Sequence, residues 1–198
     1  SALEPGLPRP ASSRFILYRN HQCLLDPSPG LWVDVIHFTR LHGEGREQAR
    51  VHPAAARDAY TRAVELYRGE LLEGEEADEA LDEERRRLAR IYREMLSFLA
   101  DACAAEADWE RAVHYGELLV RTDPYDEEAV RQLMLACARR GDRRGAQAAY
   151  ERLAAQLRAD LGVRPSAALV SLYEGLRRGD PLPPVRPLAA GPGFPGGR

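Results

Sequence analysis

Two stretches of this chain decide its fold: LSFLADACAAEADWERAVHYGELL at residues 96–119 and VRQLMLACARRGDRRGAQAAYERL at residues 130–153. Aligned at a spacing of 34 residues, they carry matching residue types at matching positions. The matches are Leu99 with Leu133, Cys103 with Cys137, Asp108 with Asp142, Ala112 with Ala146, Glu117 with Glu151 and Leu119 with Leu153. Self-similarity at a fixed period predicts two copies of one structural unit.

The repeated unit has the pattern of two helices joined by a short polar turn. Ala112 and Ala146 stand where the two helices of a pair approach most closely, so only a small side chain fits there. Asp108 and Asp142 are placed to cap the second helix of each pair. A helix, short turn and helix at a period of about 34 residues is the tetratricopeptide signature. A weaker third copy lies at AYTRAVELYRGELL, with Ala63 at the small-residue position.

Further helical patterns fill most of residues 34–178, which we predict to be one helical domain. We expect a short helix from an Asp34 cap to about Leu41, broken by HGEGREQARVHP, then an amphipathic helix from Ala54, a long helix ending near Ala105, and helices near 109–121, 126–140, 143–161 and 167–178. Gly162, Pro165 and Ser166 are expected to end one helix and begin the last. The predicted fold class is mainly α, a tetratricopeptide-like right-handed helical solenoid with a short N-terminal β-hairpin.

The two ends of the chain differ in composition from the helical part. Residues 1–13 predict a flexible linker, and residues 14–33 predict a β-hairpin with strands near 14–19 and 22–26 around the turn Arg19-Asn20-His21. Residues 179–198 are rich in proline and glycine and predict a disordered tail. The opening SALEPGLPRP lacks an initiator methionine, which favours a piece of a longer protein.

Composition excludes several classes of protein. Hydrophobic residues make up 44% of the chain and charged residues 30%, and the formal net charge of −3 gives no bulk attraction to nucleic acid or to a membrane surface. Cys23, Cys103 and Cys137 share no spacing typical of a disulfide framework or a zinc site. With no signal peptide and no apolar run of about 18 residues, we expect a cytoplasmic protein.

Catalytic motifs are missing from the sequence. The five histidines show no HExxH or other metal-ligand spacing, and the serines lie in no nucleophile elbow. No glycine-rich phosphate loop follows a strand. We therefore expect no enzyme, no cofactor and no metal site.

The order of the sequence motifs resembles a known family. VDVIHFTRL, AVELYRGELLEG, ERRRL, DPYDEEAVRQLMLACARRGDRRGAQAAYERL and LGVRPSAAL occur in the order of the bacterial transcriptional activator domain, over roughly residues 31–178. That domain is similar to a tetratricopeptide array and occurs in antibiotic-pathway regulators. In the family it follows a winged helix-turn-helix, so the resemblance implies that residues 14–33 are the last strands of a wing. Alternatively, the hairpin only caps the first helix.

The concave face of a tetratricopeptide array, lined by the first helix of each pair, is the candidate partner-binding groove. By the repeat register it carries Glu94, Ser97, Asp101, Glu128, Arg131, Leu135 and Arg139. Carboxylates and guanidinium groups along one groove suit a peptide or a neighbouring protein surface. The alternative is a solvated groove or one filled by the protein's own segment.

Arginine clusters are candidates for contacts with DNA phosphates or another anion. Arg140, Arg143 and Arg144 surround one helix turn together with Arg139, and Arg85, Arg86 and Arg87 form a second run. Charge runs of this kind are more often solvated helix faces.

The resemblance implies the regulatory, oligomerisation and protein-interaction domain of a bacterial transcriptional regulator. Its partners would be a second copy of the chain, RNA polymerase, and DNA only through the missing upstream winged helix. A possible homodimer interface is the apolar set Leu169, Leu172, Tyr173 and Leu176, which alternatively caps the solenoid core. Other hypotheses are a peptide-binding tetratricopeptide scaffold without a DNA role, or the sensor domain of a larger signalling ATPase.

Overall fold

Seven α-helices make up most of the described chain. The computed structural model describes residues 16–19, 22–25, 33–74 and 78–185, with side chains in the last two ranges. The elements are β1 (Ile16–Arg19), β2 (Gln22–Leu25), α1 (Asp34–Gln48), α2 (Pro53–Leu66), α3 (Glu79–Ala105), α4 (Trp109–Thr122), α5 (Glu127–Arg139), α6 (Arg143–Gln156), a single π-helical turn (Leu157–Leu161) and α7 (Ala167–Arg178).

The helices pack as consecutive antiparallel pairs, the arrangement of a tetratricopeptide-like array. Helix α1 packs on α2, α3 on α4 and α5 on α6, while α2 also contacts α3 and α4 contacts α5. Helix α7 covers the open side of α5 and α6 at the end of the stack. One continuous apolar core runs through all of these helices, from Phe38 to Leu176. The predictions of a mainly helical chain and of a tetratricopeptide-like architecture are confirmed.

The two sequence repeats have the same turn geometry. The backbone N–H of Asp108 donates to the carbonyl of Cys103 at 2.9 Å, and that of Asp142 donates to Cys137 at 2.9 Å. The residues just before the two aspartates, Ala107 and Gly141, both have positive φ. Each aspartate then accepts a hydrogen bond from a backbone N–H in the first turn of the following helix, as expected for a cap.

The small-residue positions of the repeat are buried between packed helices. Ala63 and Ala146 have no exposed surface, and Ala112 is 2% exposed. A larger side chain at any of these positions would push two helices apart. The third repeat, in α2, therefore follows the same packing rule as the two clearer ones.

Helix α1 differs from its prediction. The prediction that HGEGREQARVHP breaks it at about Leu41 is wrong, because α1 continues through both glycines to Gln48. Gly45 is buried beneath the Tyr60 ring, so tertiary packing outweighs the low helix propensity of glycine. The cap position is held by Val33, and Asp34 is the first helical residue.

The end of α6 follows the predicted pattern. The chain leaves it through the π-helical turn, and Gly162 takes the left-handed conformation with φ of 68°. The Ser166 hydroxyl accepts a hydrogen bond from the backbone N–H of Leu169 and so caps α7. The predicted single helix over 143–161 is therefore α6 plus this turn.

A pair of short strands precedes the helices. β1 and β2 are antiparallel, with Ile16 opposite Leu25 and Tyr18 opposite Cys23. The predicted turn residues Asn20 and His21, the predicted linker 1–13 and the later part of the predicted tail, 186–198, lie outside the described residues. Within residues 33–74 and 78–185, no helix is both long enough and apolar enough to cross a lipid bilayer.

The aspartate caps make stability depend on acid pH. Hydrogen bonds from the Arg111 side chain lower the pKa of Asp108, and the backbone N–H of Gly145 lowers that of Asp142. Because the folded-state pKa lies below the unfolded value, the caps stabilise the folded state above about pH 4, and this contribution is lost as pH falls through the folded pKa.

An Asp108→Asn/Asp142→Asn variant keeps an acceptor oxygen at both caps but does not titrate there. Urea denaturation at a series of pH values should show wild-type stability falling more steeply than that of the variant below about pH 4. Parallel curves would show that the caps contribute nothing to acid sensitivity.

Candidate functional site

A small cavity opens between α3, α4 and α5, among the residues that the repeat register assigns to the concave groove. Its volume is about 90 Å³. Its lining combines small apolar side chains with polar and aromatic ones: Ala100, Asp101, Ala104, Trp109, Ala112, Arg131, Gln132, Leu135, Ala136 and Arg139. Because alanines from three helices line it, the groove has room for the side chains or backbone of another segment.

The protein's own proline-rich segment closes this cavity. Pro183, Pro184 and Val185 complete the lining, and the guanidinium of Arg139 donates a hydrogen bond to the carbonyl oxygen of Pro183. The same guanidinium lies 5.4 Å from the centre of the Trp109 ring, in a cation–π contact. A proline-rich segment is therefore held by one of its backbone carbonyls.

A tight turn after α7 sends the chain back toward the groove. Gly179 has φ of 83°, and the backbone N–H of Asp180 donates to the carbonyl of Gly175 at 2.9 Å. The Asp180 carboxylate accepts a hydrogen bond from Arg178 at 2.8 Å. The first seven residues of the predicted tail, 179–185, thus have a defined path along the helical domain.

The polar wall of the cavity contains an unsatisfied acceptor. The Gln132 amide donates to Asp101 Oδ1 at 3.0 Å across the α3–α5 contact. Its own oxygen, Oε1, is buried and has no hydrogen-bond partner among the described residues. Arg131 forms an ion pair with Glu128 at 2.5 Å, and this hydrogen bond raises the pKa of Arg131. A buried acceptor without a partner is costly, and its position marks where a donor would be stabilising.

The structure brings together four of the seven predicted groove residues. Asp101, Arg131, Leu135 and Arg139 line the cavity, and Glu128 reaches it through its ion pair with Arg131.

Two predicted groove residues lie elsewhere. The Glu94 carboxylate lies 3.3 Å from Nε2 of His42, at the contact between α1 and α3. Ser97 is half-buried on α3 and does not line the cavity.

Three components of this site are absent from the sequence-based prediction: Trp109, Gln132 and the segment containing Pro183, which belongs to the predicted disordered tail. The run PLPPV at residues 181–185 was the available signal, because adjacent prolines favour an extended conformation.

The arginines at the α5–α6 turn separate into two groups. Arg139 points into the groove, whereas Arg140, Arg143 and Arg144 are exposed. Arg140 pairs with the cap residue Asp142 at 3.2 Å. The three exposed arginines surround the α5–α6 turn next to the groove residue Arg139.

The other arginine run is tied to the fold. Arg85 donates to the carbonyl oxygens of Leu71 at 2.8 Å and Leu72 at 2.6 Å, and so anchors the α2–α3 loop to α3. Arg87 makes a two-bond ion pair with Glu84 within the same helix. A structural role accounts for these two side chains.

Removing the Arg85 anchor should loosen the loop without unfolding the domain. In Arg85→Ala, we expect the amides of residues 69–74 to exchange about tenfold faster, because two charge-assisted hydrogen bonds are lost. Hydrogen–deuterium exchange measures this directly. The exposed neighbour offers a control, Arg86→Ala, whose exchange should equal that of wild type; equal exchange in both variants would contradict the anchoring role.

The proposed homodimer patch is largely internal. Leu169 and Leu176 are 2% and 4% exposed and belong to the core of their own chain. Leu172 and Tyr173 are half-buried against it, and the Tyr173 ring stacks on that of Tyr150 at 4.1 Å between centres. This is the capping arrangement that the sequence left open as the alternative.

Metal and thiol chemistry receive no candidate from the described side chains. Within residues 33–74 and 78–185, no group of three or more histidine, cysteine, aspartate or glutamate side chains is arranged to hold a metal ion. Cys103 and Cys137 are buried at equivalent positions, and burial raises the pKa of both thiols. A raised pKa disfavours the reactive thiolate.

Comparisons with known proteins agree with this architecture. The sequence model of the family described as the bacterial transcriptional activator domain matches residues 33–177. The regulatory protein DnrI of Streptomyces peucetius is 32% identical over 166 residues, covering 80% of this chain and 58% of DnrI. The chain thus spans less than two thirds of this curated relative.

Solved structures support the fold. A structure described as Mycobacterium tuberculosis EmbR in complex with a low-affinity phosphopeptide matches with a TM-score of 0.62 and 22% identity, covering 85% of this chain and 45% of that one. The C-terminal TPR-containing domain of a Plasmodium falciparum FK506-binding protein matches with a TM-score of 0.51 and 16% identity, covering 75% and 93%. At these identities the two structures show the shared helical fold.

Proposed function

This chain belongs to the bacterial transcriptional activator domain family, and from that premise we propose that it is the regulatory and protein-interaction part of a bacterial transcriptional regulator. The family match over residues 33–177, which includes the whole helical array, carries the proposal. Similarity to the regulatory protein DnrI supports it. In this role the domain works without catalysis, in the cytoplasm where bacterial promoters lie.

DNA recognition would belong to a winged helix upstream of the array. The antiparallel strands β1 and β2 come just before the family match at residue 33, in the order that a wing followed by this domain requires. A wing alone lacks the recognition helix that reads the major groove. We therefore expect the 198-residue chain by itself to bind DNA weakly or not at all.

The concave groove would receive the protein partner. It already holds a proline-rich polypeptide segment through a hydrogen bond from the Arg139 side chain to a backbone carbonyl. The related EmbR structure is described as a complex with a phosphopeptide, which supports a polypeptide as the class of partner. RNA polymerase would be one such partner, because an activator of transcription acts on that enzyme.

Oligomerisation is a further part of the proposal. Pairing two subunits would fix the distance between two DNA-reading domains and so select the spacing of half-sites. Because Leu169 and Leu176 are internal, such pairing would have to use the exposed edges of Leu172 and Tyr173 or another surface. Light scattering of the chain at high concentration should give the mass of a dimer. The mass of a monomer would contradict the oligomerisation part of the proposal.

Fluorescence anisotropy tests the transcriptional role. The gene's full product and the 198-residue chain are each titrated against DNA from the region upstream of the gene, at 50 mM and 200 mM salt. We expect binding by the full product that weakens by roughly a thousandfold between these salt concentrations, as phosphate contacts release counterions. The absence of DNA binding by the full product would contradict the proposal.

The same DNA titration also tests the exposed arginines beside the groove. If Arg140, Arg143 and Arg144 contact phosphates in the full product, replacing all three with alanine should reduce the slope of log affinity against log salt by about 0.9 for each lost contact. An unchanged slope would assign them to a solvated surface.

A further inference from the structure

We propose that the concave groove binds an extended, proline-containing segment of the partner protein in the place where this chain's own residues 181–185 lie, so that the two segments compete. The inference rests on the proposed function, since it names the partner chemistry of the same groove. The resident segment then acts as an internal competitor that only a sufficiently strong partner displaces.

The contacts to the resident segment are those that recognise an extended proline-rich backbone. Such a backbone makes no internal hydrogen bonds, so its carbonyl oxygens point outward and accept from a receptor. Arg139 donates to the carbonyl of Pro183, and its guanidinium is positioned over the Trp109 ring. An aromatic ring beside a charged donor is a common means of binding proline-rich segments.

The resident segment leaves one hydrogen-bond acceptor of the groove, Gln132 Oε1, without a donor among the described residues. Gln132 lines the same cavity as Pro183 and Pro184, and its Oε1 is buried without a partner in the part of the chain that the structure describes. Neither proline has a backbone N–H to offer. A partner segment with a non-proline residue at one of these positions brings a backbone N–H into the same cavity. If that N–H bonds to the Gln132 oxygen, the partner should bind more tightly than the resident sequence.

A larger cavity, between α4, α5 and α6, lacks this combination of features. It has a volume of about 580 Å³ and is bounded by residues of α4, α5 and α6, including Arg121, Leu153 and Gln156. No segment of the described chain lies in it, and the buried unpaired acceptor is in the smaller cavity. The observations therefore assign the polypeptide to the groove beside Trp109.

Tethering explains how a weak resident segment can still control access. A segment joined to its site by a short connection has an effective concentration in the millimolar range. A partner must displace a segment that is present at this effective concentration. Because the resident segment leaves the Gln132 oxygen unsatisfied, its own affinity for the groove is lower and its displacement is easier. The groove is then closed by default and opened by a partner of the right sequence.

The test uses the full 198-residue chain and labelled peptides. An unseated variant, Pro183→Ser/Pro184→Gly/Val185→Ser, replaces side chains outside the helices and should melt like wild type in circular dichroism. The first probe is fluorescein-labelled GDPLPPVRP, the sequence of residues 179–187. The second is the same peptide with alanine at the position of Pro184, which restores one backbone N–H.

We expect the unseated variant to bind GDPLPPVRP at least about tenfold more tightly than wild type, because the internal competitor is removed. The alanine peptide should bind several-fold more tightly still, and Gln132→Leu should abolish that preference. Adding Arg139→Ala to the unseated variant should weaken binding by about tenfold or more. The exposed Arg158→Ala is the matched control and should leave the affinity unchanged.

Two results would overturn the inference: equal peptide affinity of wild type and the unseated variant, or no saturable binding by either at millimolar peptide. If the unseated variant, with Gln132 intact, does not prefer the alanine peptide, the role of Gln132 is overturned. The DNA titration of the full product is independent of this groove. Positive DNA binding with negative peptide binding removes only the inference, whereas the reverse result removes the transcriptional role.

Discussion

Replacing Leu99 with alanine should lower the free energy of unfolding by about 2–5 kcal/mol, and Leu133→Ala should do the same. Leu99 has no exposed surface and Leu133 is 2% exposed, at equivalent positions of the two repeats. Each substitution removes buried methyl groups and leaves a cavity that packed helices on both sides cannot close. Similar losses at the two positions would reflect one packing rule used twice.

Urea denaturation followed by circular dichroism measures both losses. Leu161→Ala provides the control, because this leucine is 57% exposed, and its effect should stay within about 0.5 kcal/mol. A loss of less than about 0.5 kcal/mol at either Leu99 or Leu133 would contradict the continuous core through α3 and α5.

Two glycines of the same helix should respond in opposite directions to alanine. A Cβ atom at Gly45 would lie 2.2 Å from Cε1 of Tyr60. That ring cannot simply move away, because it packs edge-on against Phe98 at 5.1 Å and is 3% exposed. We expect Gly45→Ala to destabilise the domain by about 1–3 kcal/mol through overpacking.

Gly43 provides the matched control within α1. A Cβ atom there would meet nothing within 4 Å, so Gly43→Ala should stabilise the domain by about 0.5–1 kcal/mol through the better helix propensity of alanine. Thermal melts of the two variants beside wild type show the two signs directly. Stabilisation by Gly45→Ala would mean that α1 and α2 are not packed as described.

The repeated helix pairs could be predicted from the sequence because their signals are local. Asp108 and Asp142 cap the helix that follows them, and Ala112 and Ala146 mark the close helix contact in both copies. Each signal acts within a few residues, and the 34-residue period repeats it. Agreement among caps, spacing and small residues left one architecture for this part of the chain.

The continuation of α1 could not be predicted from local signals. Glycine lowers helix propensity wherever it occurs, and HGEGREQARVHP contains two. Gly45 remains helical because the Tyr60 ring, from the next helix, occupies the space where a side chain would be. The contact between α1 and α2, and not the local sequence, therefore determines that this segment is helical.

The groove was predicted only in part, because one of its contacts joins distant parts of the sequence. The repeat register placed Asp101, Leu135 and Arg139 on one face, and in the structure these three residues line one cavity. The return of Pro183 to Arg139 joins positions 44 residues apart and follows from the turn at Gly179. A contact between residues so far apart in the sequence leaves no periodic pattern from which it could be predicted.

Transcription by the full gene product, at a promoter that it binds, tests the role of the groove most directly. Arg139→Ala removes the donor that holds a polypeptide in the groove, and Arg158→Ala serves as the control on an exposed turn. Because Arg139 also anchors the resident segment, this substitution is made in the unseated variant. We expect Arg139→Ala to keep the DNA affinity of that variant but to lose about tenfold or more in transcription, in line with the loss of one charge-assisted hydrogen bond to the partner. Transcription equal to that of the unseated variant would contradict the claim that this groove receives the regulator's protein partner.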